Sequence, residues 1–451
     1  MGAINVKHTG SGADVSLSSD GTALLLDGAA IGGTALELYS ENSVTAVAAS
    51  ATGSNAVAIG DGALSSSSRS IAVGYLSVSS GVASTAIGPS ANASGFYASA
   101  FGYNAKAVSS GFNSVVAVGN SYASGADSFA AAIGNNTSSY GAVGNNSIAM
   151  GSLAKATGSN AVAIGRNSTA TGFDAFSFGY ACQAQGQFSV AIGGNAIAAN
   201  NEGATAIGFT ARSSGISAVA LGDAYASGTD SFAAAIANNT STYGATGANS
   251  VAIGQNAKAS GSSAFAFGTV NTASATGSLA LGGNQNTASQ SYAVAMGQYA
   301  TSSISGKFVF SSGRFSSNGD AQTGTFVLRS DTTDATPEAL TTNNSTAGTT
   351  DQIILPNNSA YAFHGTIVAR QQASTGTACA AWKVEGLIRR EGSAGTTVLV
   401  NSATTILDNT PAWGMTLSAD TTNGGLAITV TGAAATNIRF VATINTSEVT
   451  Y

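Results

Sequence analysis

Few residues of this chain have the type and spacing that catalysis requires. The two histidines, His8 and His364, stand more than 300 positions apart, and Cys182 and Cys379 are also far from each other. No His/Cys grouping has metal-ligand spacing, so no metal and no cofactor is expected, and both thiols are expected to be free. Cleavage of a glycan would need two carboxylates facing each other across a cleft. The acidic residues between positions 43 and 300 are Asp61, Asp127, Asp174, Glu202, Asp223 and Asp230, scattered along the chain. Asp127 and Asp230 occupy equivalent places in a longer repeat, which suits the capping of a turn. The residues therefore predict no enzyme. What remains has the chemistry of recognition. Tyr361, Trp382 and Trp413 carry planar rings able to stack on sugars, although tryptophan in a small domain also serves as core. Arg389-Arg390 is an isolated basic pair. Tyr140 and Tyr243 sit in two Asn-rich inserts, Asn135–Gly141 and Asn238–Gly244, where ligand contact or a simple turn extension would both fit.

The composition narrows the functional classes. With 451 residues the chain is too long for one compact core, so several modules are expected. Charged residues make up 8%, against roughly 25% in an ordinary soluble domain. Disorder is nonetheless unexpected, because 44% of residues are hydrophobic and fall in register with a repeat. A net charge of −6 without a basic cluster excludes the electrostatic footprint of a nucleic-acid binder. No apolar run approaches the roughly 20 residues of a membrane helix, so no membrane insertion is expected. The first residues, Met1-Gly-Ala-Ile-Asn-Val-Lys7, read neither as a secretion signal nor as a myristoylation site.

The elements that must position these residues are set by a short repeat. A four-residue motif recurs seventeen times between Val57 and Gly297, ending in Gly in all copies but one, mostly 14 residues apart, with some spacings of 15 or 17. Examples are Val57-Ala-Ile-Gly60, Val162-Ala-Ile-Gly165 and Phe265-Ala-Phe-Gly268. The residue before the Gly is large and apolar, and the residue two before it is Ala in sixteen copies, with Ser177 the exception. Large, small, large predicts a short strand, and the Gly predicts a turn at positive φ. Ala237 stands where one Gly is expected. A second half-motif, as in Ala154-Lys-Ala-Thr-Gly158, predicts a second short strand and turn. Each coil is then flat and narrow, and the chain stacks coils into a β-roll. In this reading the large side chains fill the coil and the Ala faces outward. A surface kept small, with only twelve charged side chains between residues 43 and 300, suggests packing against further copies.

The pattern [Val/Ile/Phe]-Ala-Ile-Gly-x-x-Ala-x-Ala-x-Gly resembles the head repeat of YadA-type trimeric adhesins over roughly residues 50–300. The resemblance implies a left-handed parallel β-roll, a homotrimer and a role in surface attachment. Those bacterial adhesins carry a signal peptide, a coiled-coil stalk and an outer-membrane anchor, none of which is visible here.

The ends of the chain depart from the repeat. Residues 1–42 predict a few short strands forming a cap. Residues 305–350 predict a neck and polar linker, and 351–451 an antiparallel β-sandwich. Two phrases, Gly324-Thr-Phe-Val-Leu-Arg-Ser-Asp331 and Leu355-Pro-Asn-Asn-Ser-Ala-Tyr-Ala-Phe363, resemble C-terminal regions of phage tail-fibre proteins. The combined expectation is an all-β trimeric fibre with a roll shaft over residues 43–304. Residues 1–42 would bind a phage tail or baseplate protein. The sandwich would bind a host cell-surface glycan or outer-membrane protein. A bacterial surface adhesin and a polysaccharide depolymerase are the alternatives.

Overall fold

The structure is a computed structural model. It describes residues 47–451 apart from 110, 112, 136, 239, 374–376 and 410, and within the first 46 residues only the backbone of five strands. His8, Asn136 and Asn239 lie outside the described residues. The chain forms two compact units, Met1–Gly203 and Ala204–Tyr451. Nearly all regular structure is β, with one short 3-10 turn at Ala394–Thr396.

The first unit opens with a four-stranded antiparallel sheet of Ile4–Val6, Val15–Ser19, Leu24–Leu26 and Ala29–Ile31. Leu36–Leu38 then pairs in parallel with Val57–Ile59, so the first ladder begins within the segment read as a cap. From there both units contain the same parallel solenoid. Three-residue strands such as Val57–Ile59 and Ile71–Val73 stack in one ladder. Two-residue strands such as Leu64–Ser65 and Val78–Ser79 stack in a second.

The inside of the coil is the reverse of the sequence expectation. The motif Ala is the core residue: Ala58, Ala72, Ala86 and Ala163 have no exposed surface. The second ladder contributes Ser79, Ala93, Ala107 and Ala156, equally buried. Two strands joined by tight turns stand too close for Ile or Phe between them, so small side chains fill the gap. Buried hydroxyls are paired, as in Ser65 with Ser70 and Ser79 with Ser84, both at 2.6 Å. Ser177, the exception in the Ala column, accepts a hydrogen bond from the Ser168 hydroxyl at 2.8 Å. The large residues on either side of each Ala point out of the roll.

The two glycines of each coil serve different purposes. Gly165 turns the chain at φ 118°, a conformation that side chains rarely adopt. Gly158 has no such φ, but a Cβ there would fall on the carbonyl oxygen of Gly172 in the next coil. A Cβ at Gly165 would also fall on the Gly179 carbonyl oxygen, so the first glycine is needed for both turn and stacking and the second for stacking alone.

In two coils the motif register differs from the sequence reading. Phe129–Ala131 pairs with Val116–Val118 and with Ile148–Met150, so Ala132, not Gly134, stands at the turn position. Phe232–Ala234 is placed the same way, which puts Ala235 rather than Ala237 there. Ala132 and Ala235 adopt φ of 54° and 53°. Ile133 and Ile236 then turn inward and are fully buried. Identical spacing of apolar residues concealed this shift.

The last roll strand, Phe308–Ser311, pairs antiparallel with Ala321–Thr332 and so joins the roll sheet to the C-terminal module. That module's larger sheet runs from Ala321–Thr332 through Ile438–Thr450, Ser359–Gln371 and Cys379–Arg390 to Val398–Asp408. A smaller sheet places Gly425–Thr431 between Gly414–Asp420 on one side and Pro337–Ala339 with Ile353–Ile354 on the other. Side chains from both sheets, among them Phe326, Ile367, Val384, Ile428, Phe440 and Ile444, enter one buried cluster. Residues 321–332, read as neck, are therefore a full-length strand of this module.

Candidate functional site

Alternation along the strands decides where the candidate recognition residues fall. Tyr361 aligns with Ile388 across the sheet, and both are buried. Trp382 is 2% exposed and stacks on Phe440 with ring centroids 6.4 Å apart. Trp413 is 6% exposed and meets the same Phe440 ring edge-on at 6.1 Å. All three rings belong to the core, which corrects their reading as contact residues. Arg390 is half-buried, and its Nη1 donates to the Leu355 carbonyl at 2.7 Å, so it braces a loop. Arg389 stays on the surface, with Nη1 2.7 Å from Oε1 of Glu391.

Tyr140 and Tyr243 are half-buried and lie in different units. In both inserts the Asn side chain organises the turn. Oδ1 of Asn135 accepts the backbone N–H and hydroxyl of Thr137 at 2.9 and 2.6 Å. Asn238 does the same for Thr240 at 3.0 and 2.6 Å. The inserts are thus side-chain-pinned turns. The acidic residues also serve turns. Asp127, Asp174 and Asp230 adopt positive φ, Asp61 accepts the Val47 N–H, and Asp223 accepts the Thr210 hydroxyl. Among the described residues no group of three or more His, Cys, Asp or Glu gathers as a metal site would require. Cys182 is buried in the roll core and Cys379 is exposed; both are free. Burial raises the Cys182 thiol above its ordinary pKa, against the backbone hydrogen bonds of Ala196 and Gly193.

The surface feature that sequence reasoning missed is the outer face of the first ladder. In the first unit it exposes Ile59, Ile71, Ile87, Phe101, Met150 and Phe178. In the second it exposes Ile207, Phe265, Phe267, Phe308 and Phe310, with Phe267 at 55%. Paired neighbours align these side chains directly, as with Ile87 beside Phe101 and Ile253 beside Phe267. The result in each unit is an apolar column along the sheet, with hardly a charge on it. Such a surface in water marks an interaction site rather than a solvated face. The signal was available in the near-invariant Ala, since a slot kept that small in the middle of the strand faces the inside of a narrow coil and leaves the flanking large residues to the outside.

A second feature lies where the roll meets the C-terminal module. Lys307 occupies a slot filled by Ala, Ser or, once, Val115 in earlier coils and is 2% exposed. Its Nζ lies over the rings of Phe326 and Tyr361, at 5.0 and 5.5 Å, and forms an ion pair with Glu448. Glu448 also accepts from Gln322 Nε2 at 2.8 Å and Thr446 Oγ1 at 2.6 Å. Burial lowers the Lys307 pKa although Glu448 acts to raise it, and burial with the neighbouring Glu448 raises Tyr361. Every polar group here has a partner, so the cluster is a structural joint.

The YadA head domain repeat family matches residues 51–77, 79–108, 142–168, 170–196, 199–224 and overlapping segments from 245 to 300. No curated protein matches the chain. Among solved structures, the collagen-binding domain of the Yersinia adhesin YadA is 24% identical, with 42% of this chain and 82% of that one covered, at a TM-score of 0.18. A tailspike protein of Acinetobacter baumannii bacteriophage Fri1, described as a capsular polysaccharide depolymerase, is 10% identical over 79% of this chain and 71% of that one, at a TM-score of 0.22. The tailspike of Acinetobacter phage vB_ApiP_P1 is 9% identical over 92% and 80%, at 0.18. At such scores these structures add no argument about function. Over those segments the parallel solenoid of this chain matches the YadA head domain repeat.

Proposed function

We propose that this protein is a homotrimeric adhesive fibre, and specifically a phage tail fibre that attaches the virion to its host. The observation that carries the reading is the apolar column on the outer face of the roll. Burying a half-exposed Phe or Ile contributes about 1 kcal/mol, and the column repeats that gain coil after coil. Flat, thin rolls stacked side by side around one axis would cover these columns and protect the sheet surfaces at once. Residues 1–42 would attach to a phage tail or baseplate protein, and the roll would act as a stiff spacer. The C-terminal module would present the recognition surface toward a host-surface glycan or outer-membrane protein. With Tyr361, Trp382 and Trp413 in the core, that recognition falls to exposed groups such as Arg389 and to the loops. Three copies per fibre convert weak contacts into avidity. No catalysis is assigned to the protein.

The test is direct. The full-length chain should have three times the monomer mass in solution, bind host cells, and compete with virions for adsorption. Failure to bind cells or to compete would remove the attachment role. A bacterial surface adhesin is the second reading, favoured by the YadA-type repeats themselves. Locating the protein by labelled antibody on virions or on bacterial cells separates the two.

A further inference from the structure

We propose that a cleft in the C-terminal module, lined by Arg329 and Glu338, binds a neutral sugar unit of a host-surface polysaccharide through two neighbouring hydroxyls. This inference rests on the reading of that module as the recognition end of the protein and assigns a site within it. The cleft has a volume of about 450 Å3, which lies within the range of small-ligand sites. Arg329 belongs to Ala321–Thr332 of the larger sheet and Glu338 to Pro337–Ala339 of the smaller one. A hydrogen bond between the two strands aims the carboxylate. The buried Ser330 hydroxyl donates to Oε2 of Glu338 at 2.6 Å, while Oε1 has no hydrogen-bond partner among the described residues. The Arg329 backbone exchanges hydrogen bonds with Thr341 at 2.8 and 3.2 Å. Its guanidinium forms no ion pair among the described residues. A cation and a carboxylate thus line one cleft without meeting.

The remaining rim, residues 344–347, is pinned from both ends. The hydroxyl of Thr341, a fully buried residue, accepts the Ser345 N–H at 3.0 Å and donates to the Ser345 carbonyl at 3.1 Å. Beyond the rim, Oδ1 of the buried Asp351 accepts the Gly348 N–H at 2.7 Å. A site held this way is formed before its ligand arrives.

The chemistry of the lining selects the ligand. No aromatic ring lines the cleft, and its apolar residues are only Pro337, Ala339 and Ala347, too little for an apolar guest. The two charges cancel, so a phosphate would meet Glu338 and an ammonium would meet Arg329. A hydroxyl is both donor and acceptor. Two neighbouring hydroxyls can therefore accept from Arg329 and donate to Glu338 at once, each in a charge-assisted hydrogen bond. Sugar rings carry such pairs, and the cleft has room for a mono- or disaccharide unit.

The test immobilises the full-length chain and measures binding of polysaccharide extracted from the host surface. The wild type should bind it. Glu338→Gln and Arg329→Met should each weaken binding at least tenfold, with solution mass and unfolding midpoint unchanged. Lys383→Met, at an exposed position outside the cleft, should not. Periodate, which cleaves vicinal diols, should abolish binding when the polysaccharide is treated beforehand. Wild-type affinity in either cleft variant, or undiminished binding of the oxidised polysaccharide, would overturn the inference. A wild type that binds host cells but not their polysaccharide would overturn it too, and leave the attachment role standing. Binding to neither would remove the attachment role and this site with it.

Discussion

The Nζ of Lys307 lies 2.7 Å from Oε1 and 2.8 Å from Oε2 of Glu448, joining the final roll coil to the last strand of the chain. Both side chains are almost wholly buried. Removing one partner from such a pair leaves a charge without compensation and costs about 3–5 kcal/mol. Lys307→Met should therefore lower the stability of the second unit by that order in denaturant unfolding. The double variant Lys307→Met with Glu448→Met should lose less than the sum of the two single variants. Strict additivity would mean that the two charges act independently.

Asp320 gives the neighbouring hairpin its acid sensitivity. Burial raises its pKa, but the N–H groups of Ser317, Ser316 and Phe315 outweigh that and hold it below the ordinary 3.8. They donate to the carboxylate at 2.7, 2.6 and 2.9 Å. A carboxyl with a depressed folded pKa contributes stability that is present above 3.8 and lost as pH falls through the folded value. Asp320→Asn should therefore lower the unfolding midpoint at neutral pH, and the gap from wild type should close in strong acid. A gap that persists unchanged at low pH would contradict the assignment.

The glycine columns predict opposite outcomes for similar changes. Gly158→Ala drives a Cβ onto the Gly172 carbonyl and should prevent normal stacking of that coil. Ala132 sits in the left-handed region, where a Cβ costs about 1–2 kcal/mol. Ala132→Gly releases that strain at some cost in chain entropy, so stability should stay level or rise by up to about 1 kcal/mol. Thermal unfolding of the two variants measures both effects.

Much of the architecture was legible because the repeat carries it. The period predicts stacked coils, and Gly165 was correctly read as a positive-φ turn. The direction of side chains was not legible from alternation alone, since large-small-large does not say which face is inside. Only the distance between the two ladders decides that Ala58 goes in and Ile59 goes out. The recognition residues failed for a related reason. Trp382 alternates with exposed Lys383, but the side facing the smaller sheet is set by how residues 414–431 fold back, which local sequence does not show.

Ile133 tests the corrected register. As a fully buried side chain amid alanines, it should lose about 2–5 kcal/mol on replacement by Ala. Were Ile133 an outward residue of the repeat, as its place before Gly134 suggests, the same change would be nearly silent for folding. Chemical unfolding of Ile133→Ala distinguishes the two, and Ile236→Ala in the other unit should behave alike.

Phe267 probes the apolar column itself. It is 55% exposed in a single chain, so Phe267→Lys leaves the alanine core and the hydrogen-bond ladder intact. In an assembly the same substitution places an ammonium in an apolar contact once per copy, with desolvation of each charge costing several kcal/mol. Sedimentation equilibrium should therefore show the variant dissociating at concentrations where the wild type remains assembled, while circular dichroism of the two stays the same. Lys258, on the second ladder at the half-exposed position paired with Thr272, supplies the control. Lys258→Glu changes charge off the column and should leave the mass unaltered. A Phe267→Lys protein that assembles like the wild type would show that the column is not where copies meet.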